Sequence, residues 1–496
     1  MKIIKDFQLR LQRALPSDSL RGRFALGAFW SLVGTAIARG LELLASIIVA
    51  RILGKTGFGE LGMIRSTVGM FGTFAGLGLG LTASKYIAEF RVKAPERAGR
   101  IIGMSSLVAL ISGGSISIIL FFLAPLLAEH TINAPYLVTE LQIGCGLLFF
   151  QALIGAQTGA LAGFEAFKTI AKVSFAQGVM HFSFMIVGVY LFGLQGAIAG
   201  QAIATAGGWL LSHIALRKES KKARVYVVYN NIQQELPILW KFSLPAVLSG
   251  SVVAPVMWGA RAMLVNQPSG YSEMGIFSAA MRFQGLLYLM ESTIGRPLLP
   301  MLASPDGSKS SVFNRVNILS SWLIGIVPAI PIICFPEIMG LFFGKEFMGI
   351  SANRTLALVM FFTCIMLYKQ GLARVLAANS LMWWGFLSNG VWAIVLIFSS
   401  YLMVRFGAVG LAASFTLAYA LNTIIFIPLY TRRELVPKET IISKEAFTVW
   451  LVIGLLASLT ILDYSIFVRA FAFIIGILFV LIAFIRILKS KGKVKA

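Results

Sequence analysis

Long apolar stretches follow one another along almost all of this 496-residue chain. Each is close to the roughly 20 residues that a helix needs to cross the hydrocarbon core of a bilayer. The pattern predicts spans near 24–50, 60–83, 101–128, 138–163, 168–192, 194–216, 242–266, 274–298, 315–336, 354–377, 381–404, 407–431, 446–464 and 467–488. The expected fold class is therefore all-α and integral to a membrane, with about 14 transmembrane helices. Polar residues gather in the short connections. The exceptions are several arginines inside the stretches. An arginine at the centre of such a helix costs about 2.5–3.5 kcal/mol on insertion scales, so it is expected to face a polar path.

Composition sharpens this. Hydrophobic residues make up 58% of the chain and charged residues 13%, against about 25% charged in a soluble protein. The formal charge is +23, which would ordinarily raise nucleic-acid binding. The basic residues, however, alternate with the spans. Residues 1–23 carry six Lys/Arg, 84–100 five, 217–241 six, 432–445 four, and the tail from Arg486 five, whereas 129–137, 193 and 267–273 carry none. The positive-inside rule reads that alternation as topology, with both termini cytoplasmic and no nucleic-acid partner. No A-x-A-type cleavage site follows the basic N-terminal segment. Within it Ile3, Ile4, Phe7, Leu11 and Leu15 recur at helical spacing among Lys5, Arg10 and Arg13. That segment reads either as an amphipathic helix on the inner membrane surface or as a disordered basic tail. Cys145, Cys334 and Cys364 are isolated within apolar runs, and His130, His181 and His213 are far apart. Neither a disulfide framework nor a metal site is implied, and no cofactor is called for.

The two halves resemble each other. "FGELGMI" at 58–64 matches "YSEMGIF" at 271–277, "FGLQGAIA" at 192–199 matches "FGAVGLAA" at 406–413, and Pro125 and Pro336 hold equivalent places. The offsets agree closely, at 275 − 62 = 213, 407 − 193 = 214 and 336 − 125 = 211. Six helices per copy is an even number, so both copies cross in the same sense, as parallel repeats about an axis along the membrane normal. The expected organisation is a cytoplasmic amphipathic N-terminus (1–23), an N-lobe of six helices (24–216), a cytoplasmic basic linker (217–241), a C-lobe of six (242–431), and two extra helices with a basic cytoplasmic tail (432–496).

The segment "ARILGKTGFGELG" at 50–62 resembles the loop after the first helix in Wzx-type lipid-linked oligosaccharide flippases. These form the polysaccharide-transporter branch of the multidrug/oligosaccharidyl-lipid/polysaccharide exporter superfamily. Arg51, Leu53, Gly54, Phe58, Gly59 and Gly62 match, while Lys55 stands where that family commonly has proline. The resemblance implies paired six-helix lobes working by alternating access in a bacterial or archaeal cytoplasmic membrane. It also implies a polyprenyl-diphosphate-linked glycan as the substrate. Membrane lipids and polysaccharide polymerase or glycosyltransferase machinery are the implied partners.

The residues that could carry such chemistry are mostly basic. Arg39 lies near the middle of the first span with Glu42 one turn on, Arg65 lies early in the second, and Arg261 and Arg282 lie in the outer halves of the seventh and eighth. Glu291 lies deeper in the eighth, and Lys369 and Arg374 lie in the tenth. Arg39, Arg65, Arg261, Arg282, Lys369 and Arg374 are expected to line a cationic, substrate-binding cavity. Guanidinium forks match phosphate geometry and stay charged. Glu42 and Glu291 are candidates for ion coupling. The plainer alternatives are that Arg39 and Glu42 neutralise each other, and that Arg261 and Arg374 snorkel to an interface. No catalytic constellation is legible, since the aspartates are Asp6, Asp18, Asp306 and Asp463 alone, so an enzyme is not expected. A lipid II flippase would need the same cationic cavity. A multidrug cation antiporter of the superfamily would instead call for buried acids, and the aspartate its first helix generally carries is missing here.

Overall fold

The computed structural model describes residues 20–243, 251–302, 311–379, 381–433 and 443–489. The amphipathic segment up to residue 19 and the tail beyond 489 lie outside the described residues. Every regular element among those described is helical. Eight helical stretches are long and apolar enough to cross a membrane, two of them 50 and 56 residues long. At about 1.5 Å per residue each of those two holds two crossings. Outward-facing apolar side chains are plentiful, as with Ile118 and Phe122 at 59% and 75% exposure. That is the surface a helix turns toward lipid, and the chain is a multi-pass membrane protein.

The helices fall into two units. The first takes residues through Leu53 and Ile64–Ala254; the second takes Gly54–Met63 and the chain from Pro255 on. α1 (Leu20–Ala75) bends at Gly54, whose φ of 69° and ψ of −179° suit glycine. α2 (Leu79–Lys93) follows a turn at Leu77 and Gly78, both with positive φ. The expected span 60–83 is thus not one helix. It is the second arm of α1, a turn at 76–78, and the start of α2, because a run of glycines lets the helix break where apolar character alone shows no break.

α3 (Pro95–Leu126), α4 (Val138–Gly163) and α5 (Phe167–Lys222) complete the first unit, with α4 packed against α2, α3 and α5. α5 turns back on itself at Phe192–Gly193. Its two arms approach so closely that a Cβ on Gly188 or Gly196 would strike the other's backbone, which is the small-residue packing membrane helices favour. The segment expected as a linker at 217–241 is helical to Lys222 and is then tied to the start of α3. Val228 N–H donates to the Gly99 carbonyl at 3.3 Å. The buried Glu235 carboxylate accepts from Arg97 at 3.1 Å and Arg100 at 3.3 Å.

The second unit holds α6 (Val253–Val265), α7 (Gly270–Leu302), α8 (Ser311–Cys334), a short α9 (Ile338–Phe343), α10 (Ile350–Ala378), α11 (Met382–Met403) and α12 (Gly407–Arg432), and in it α10 packs against α7, α8 and α12. Gly407, at φ 67° and ψ −144°, repeats the backbone break of Gly193, at φ 57° and ψ −135°; the sequence match pairs these two glycines. The motif segment Gly54–Met63 belongs to this unit. Phe58 is buried against Phe343 and Phe347, and Lys55 N–H donates to Glu346 Oε2 at 2.9 Å.

α13 (Lys444–Ile461) and α14 (Ile466–Lys489) are docked on α8. The fully buried Trp322 on α8 holds Trp450 and Phe484 at centroid distances of 5.3 and 5.1 Å. Arg469 on α14 reaches the Cys334 carbonyl at 3.2 Å and the Glu337 carboxylate.

Candidate functional site

In the first unit, Arg39 and Glu42 lie one helical turn apart on α1, so their side chains meet. Arg39 Nη1 donates to Glu42 Oε2 at 2.7 Å. The pair stands in the wall of a cavity of about 320 Å³. α1 adds Thr35 and Ala38, α4 adds Gln151, and the two arms of α5 add Ser174, Gln177, Gly178, His181, Gln201 and Thr205. Gly178 brings α5 close enough to meet Ala38 on α1, so small residues set the wall spacing. Arg65 is joined to this wall indirectly. Its Nε donates to Gln201 Oε1 at 2.9 Å, and its Nη2 lies 3.1 Å from Met185 Sδ.

The second unit holds the other four cations in two kinds of setting. Arg261 on α6 and Arg282 on α7 are half-buried and within electrostatic reach of each other. Lys369 on α10 donates to Asn422 Oδ1 on α12 and, at 3.5 Å, to Ser388 Oγ on α11. The Tyr419 ring lies 6.0 Å away. Asn422 is fully buried and oriented by its own bond to the Ser388 carbonyl at 2.7 Å. Among the described residues, Lys369 has no carboxylate partner.

Arg374 is different. Its Nε donates to Asn317 Oδ1 at 2.7 Å, its Nη1 to Glu291 Oε1, and its Nη2 to Ser321 Oγ. Ser321 Oγ also reaches Glu291 Oε1 at 3.0 Å, and Asn317 Nδ2 donates to the Gly371 carbonyl at 2.7 Å. Glu291, Asn317 and Ser321 are each no more than 2% exposed. Arg374 and Glu291, expected separately as a substrate cation and an ion-coupling acid, are therefore spent on each other across α7, α8 and α10.

The sequence reading missed the neutral amides, of which Gln201, Asn317 and Asn422 partner a cation. Gln151, Gln177, Gln201, Asn317 and Asn422 all sit in apolar stretches, where an amide is costly and needs a partner. That cost was the available signal. Trp383 is 81% exposed and stands edge-on to Phe386, while Trp384 packs on Tyr430. Among the described residues no cluster of His, Cys, Asp or Glu could hold a metal.

The EPS I polysaccharide export inner membrane protein EpsE of Ralstonia solanacearum is 27% identical over 195 residues, 38% of this chain and 44% of that protein. The chain thus spans less than half the length of that relative. The lipid III flippase of Escherichia coli K12 is 26% identical over 290 residues, covering 56% of this chain and 67% of that one. The solved structure of the lipid II flippase MurJ, in an inward closed conformation, superposes with a TM-score of 0.70 over 92% of this chain and 97% of that one, at 15% identity, a likeness of fold. The relatives are transporters and flippases, not enzymes. The family model described as polysaccharide biosynthesis protein matches residues 24–304, more than half of the sequence, and the chain belongs to that family.

Proposed function

We propose that this protein is a flippase. It moves a polyprenyl-diphosphate-linked oligosaccharide, a repeat unit of O-antigen or exopolysaccharide, from the inner to the outer leaflet of the cytoplasmic membrane. The observation that carries this reading is Lys369, an ammonium in a membrane-spanning helix held, among the described residues, by neutral oxygens only. A fixed positive charge without a counter-ion is costly in a bilayer and calls for a mobile anion. Arg261 and Arg282 of the same unit are further cations, within electrostatic reach of each other. A diphosphate diester is such an anion. A cationic drug is repelled by the same field, which disfavours the antiporter. The reading includes about 14 crossings, two parallel six-helix lobes plus two further helices, cytoplasmic termini, and alternating access. The likeness to MurJ favours one second reading, a flippase for lipid II, whose headgroup makes the same demand for cations.

The test is complementation of a strain lacking its own O-antigen flippase, with membrane protein level followed by blot. Lys369→Ala and Arg282→Ala should each lower surface glycan at normal protein level, and Lys369→Arg should retain part of it. Normal surface glycan in the Lys369→Ala, Arg282→Ala double variant would refute the cationic path. Resistance to cationic drugs on overexpression would move the assignment to the antiporter.

A further inference from the structure

We infer that the cavity of the first unit is a glycan subsite, taking one or two neutral pyranose rings of the lipid-linked substrate and not its diphosphate. This rests on the flippase reading. Charge comes first. Of the residues lining the cavity only Arg39 and Glu42 carry formal charge, and they are ion-paired at 2.7 Å. The formal charges of the described lining residues therefore cancel, and the further cation Arg65 reaches the wall through Gln201.

Hydrogen-bonding capacity comes second. A pyranose hydroxyl both donates and accepts, and a primary amide offers two donors and an acceptor of its own. Gln151, Gln177 and Gln201 all line the space. Arg65 Nε holds the Gln201 oxygen at 2.9 Å, which fixes the amide and leaves its nitrogen for a ligand. The side-chain amides of Gln151 and Gln177 make no hydrogen bond to protein among the described residues. Amides with capacity to spare, set on three apolar helical arms, are hard to account for as packing. Size comes third. A volume of about 320 Å³ is at the lower end of the roughly 300–1,000 Å³ of small-molecule sites. It suits one or two sugar rings and excludes a whole oligosaccharide with its lipid.

The experiment measures binding of two probes to the purified full chain in detergent. One is undecaprenyl diphosphate; the other is undecaprenyl diphosphate bearing N-acetylglucosamine. The wild type should prefer the sugar-bearing probe by about tenfold, the worth of one or two net hydrogen bonds. Gln151→Leu with Gln177→Leu should bring that ratio to about one while leaving affinity for the bare lipid unchanged. The single substitutions, each expected to lose about threefold, serve if the pair fails to fold. A ratio of one in the wild type, or an undiminished ratio in the folded variants, overturns the inference as a merely hydrated wall. Failure of the wild type to bind the bare lipid at all would instead strike the flippase reading itself.

Discussion

Arg374→Ala separates a structural cation from a transporting one. The substitution removes three donors at once, those to Asn317, Glu291 and Ser321. It leaves the Glu291 carboxylate, 2% exposed, with Ser321 as its remaining neighbour at 3.0 Å. Breaking one partner of a buried ion pair costs about 3–5 kcal/mol. Stability is typically about 5–15 kcal/mol, so the loss is a large share of the total. We therefore expect Arg374→Ala to melt well below the wild type in detergent and to fall in membrane abundance. Glycan export should drop in proportion to the protein lost. The double variant Arg374→Met, Glu291→Leu removes both charges and fills the space, and buried pairs replaced in this way are often neutral or stabilised. It should recover most of the melting temperature and most of the export. Thermal unfolding by fluorescence-detected size exclusion, together with a blot and a surface-glycan assay, measures all three quantities. If Arg374→Ala melted and accumulated like the wild type but exported nothing, the network would be incidental and Arg374 would serve the substrate.

Two further predictions concern the second unit. Arg469→Ala should lower the melting temperature, because the Cys334 carbonyl loses its donor and α14 loses its tie to Glu337. Hydrogen bonds to charged groups are worth about 1.5–3 kcal/mol, and an unchanged melt would show α14 to be held by its rings alone. In the motif segment, Phe58→Ala opens a void against Phe343 and Phe347, at about 3–5 kcal/mol. Glu346→Ala removes only an acceptor for Lys55 N–H, at about 0.5–2 kcal/mol as for a helix cap. The reverse order of melting temperatures would contradict that assignment.

The helices were legible because twenty consecutive apolar residues are a strong signal. Val138–Gly163 and Met382–Met403 fall within a residue of the expected spans 138–163 and 381–404. What hydropathy could not show was a helix break made of apolar residues. Gly76, Leu77 and Gly78 read as part of a span and form a turn. Likewise 51–59, read as a loop, is helical apart from Gly54. In the candidate site the charges themselves were legible, since each stands out in an apolar run. Their partners were not. Arg374 meets Glu291 across 83 positions and Lys369 meets Asn422 across 53, distances over which a sequence carries no register. The short-range pair Arg39–Glu42 was open to the sequence, and the two side chains meet in the structure at 2.7 Å.

The difference between a cavity whose own charges are paired and a lysine held by neutral oxygens bears on how such a carrier would release its load. A diphosphate diester carries about two negative charges, and each is worth about 2.3 kcal/mol per 100 mV. An inside-negative potential therefore drives the headgroup outward by about 4–5 kcal/mol per 100 mV. On the flippase reading, direction is then supplied from outside the protein, and the protein's task is to keep the headgroup solvated without trapping it. Lys369 suits that task because its ammonium is already held by Asn422 and Ser388. An arriving phosphate must compete with these neutral oxygens, and a departing one is replaced by them. A bare ammonium would bind harder and release more slowly, and passage requires binding weak enough to leave. Sugar contacts through amides add recognition in modest increments of the same kind, each about 0.5–1.5 kcal/mol net.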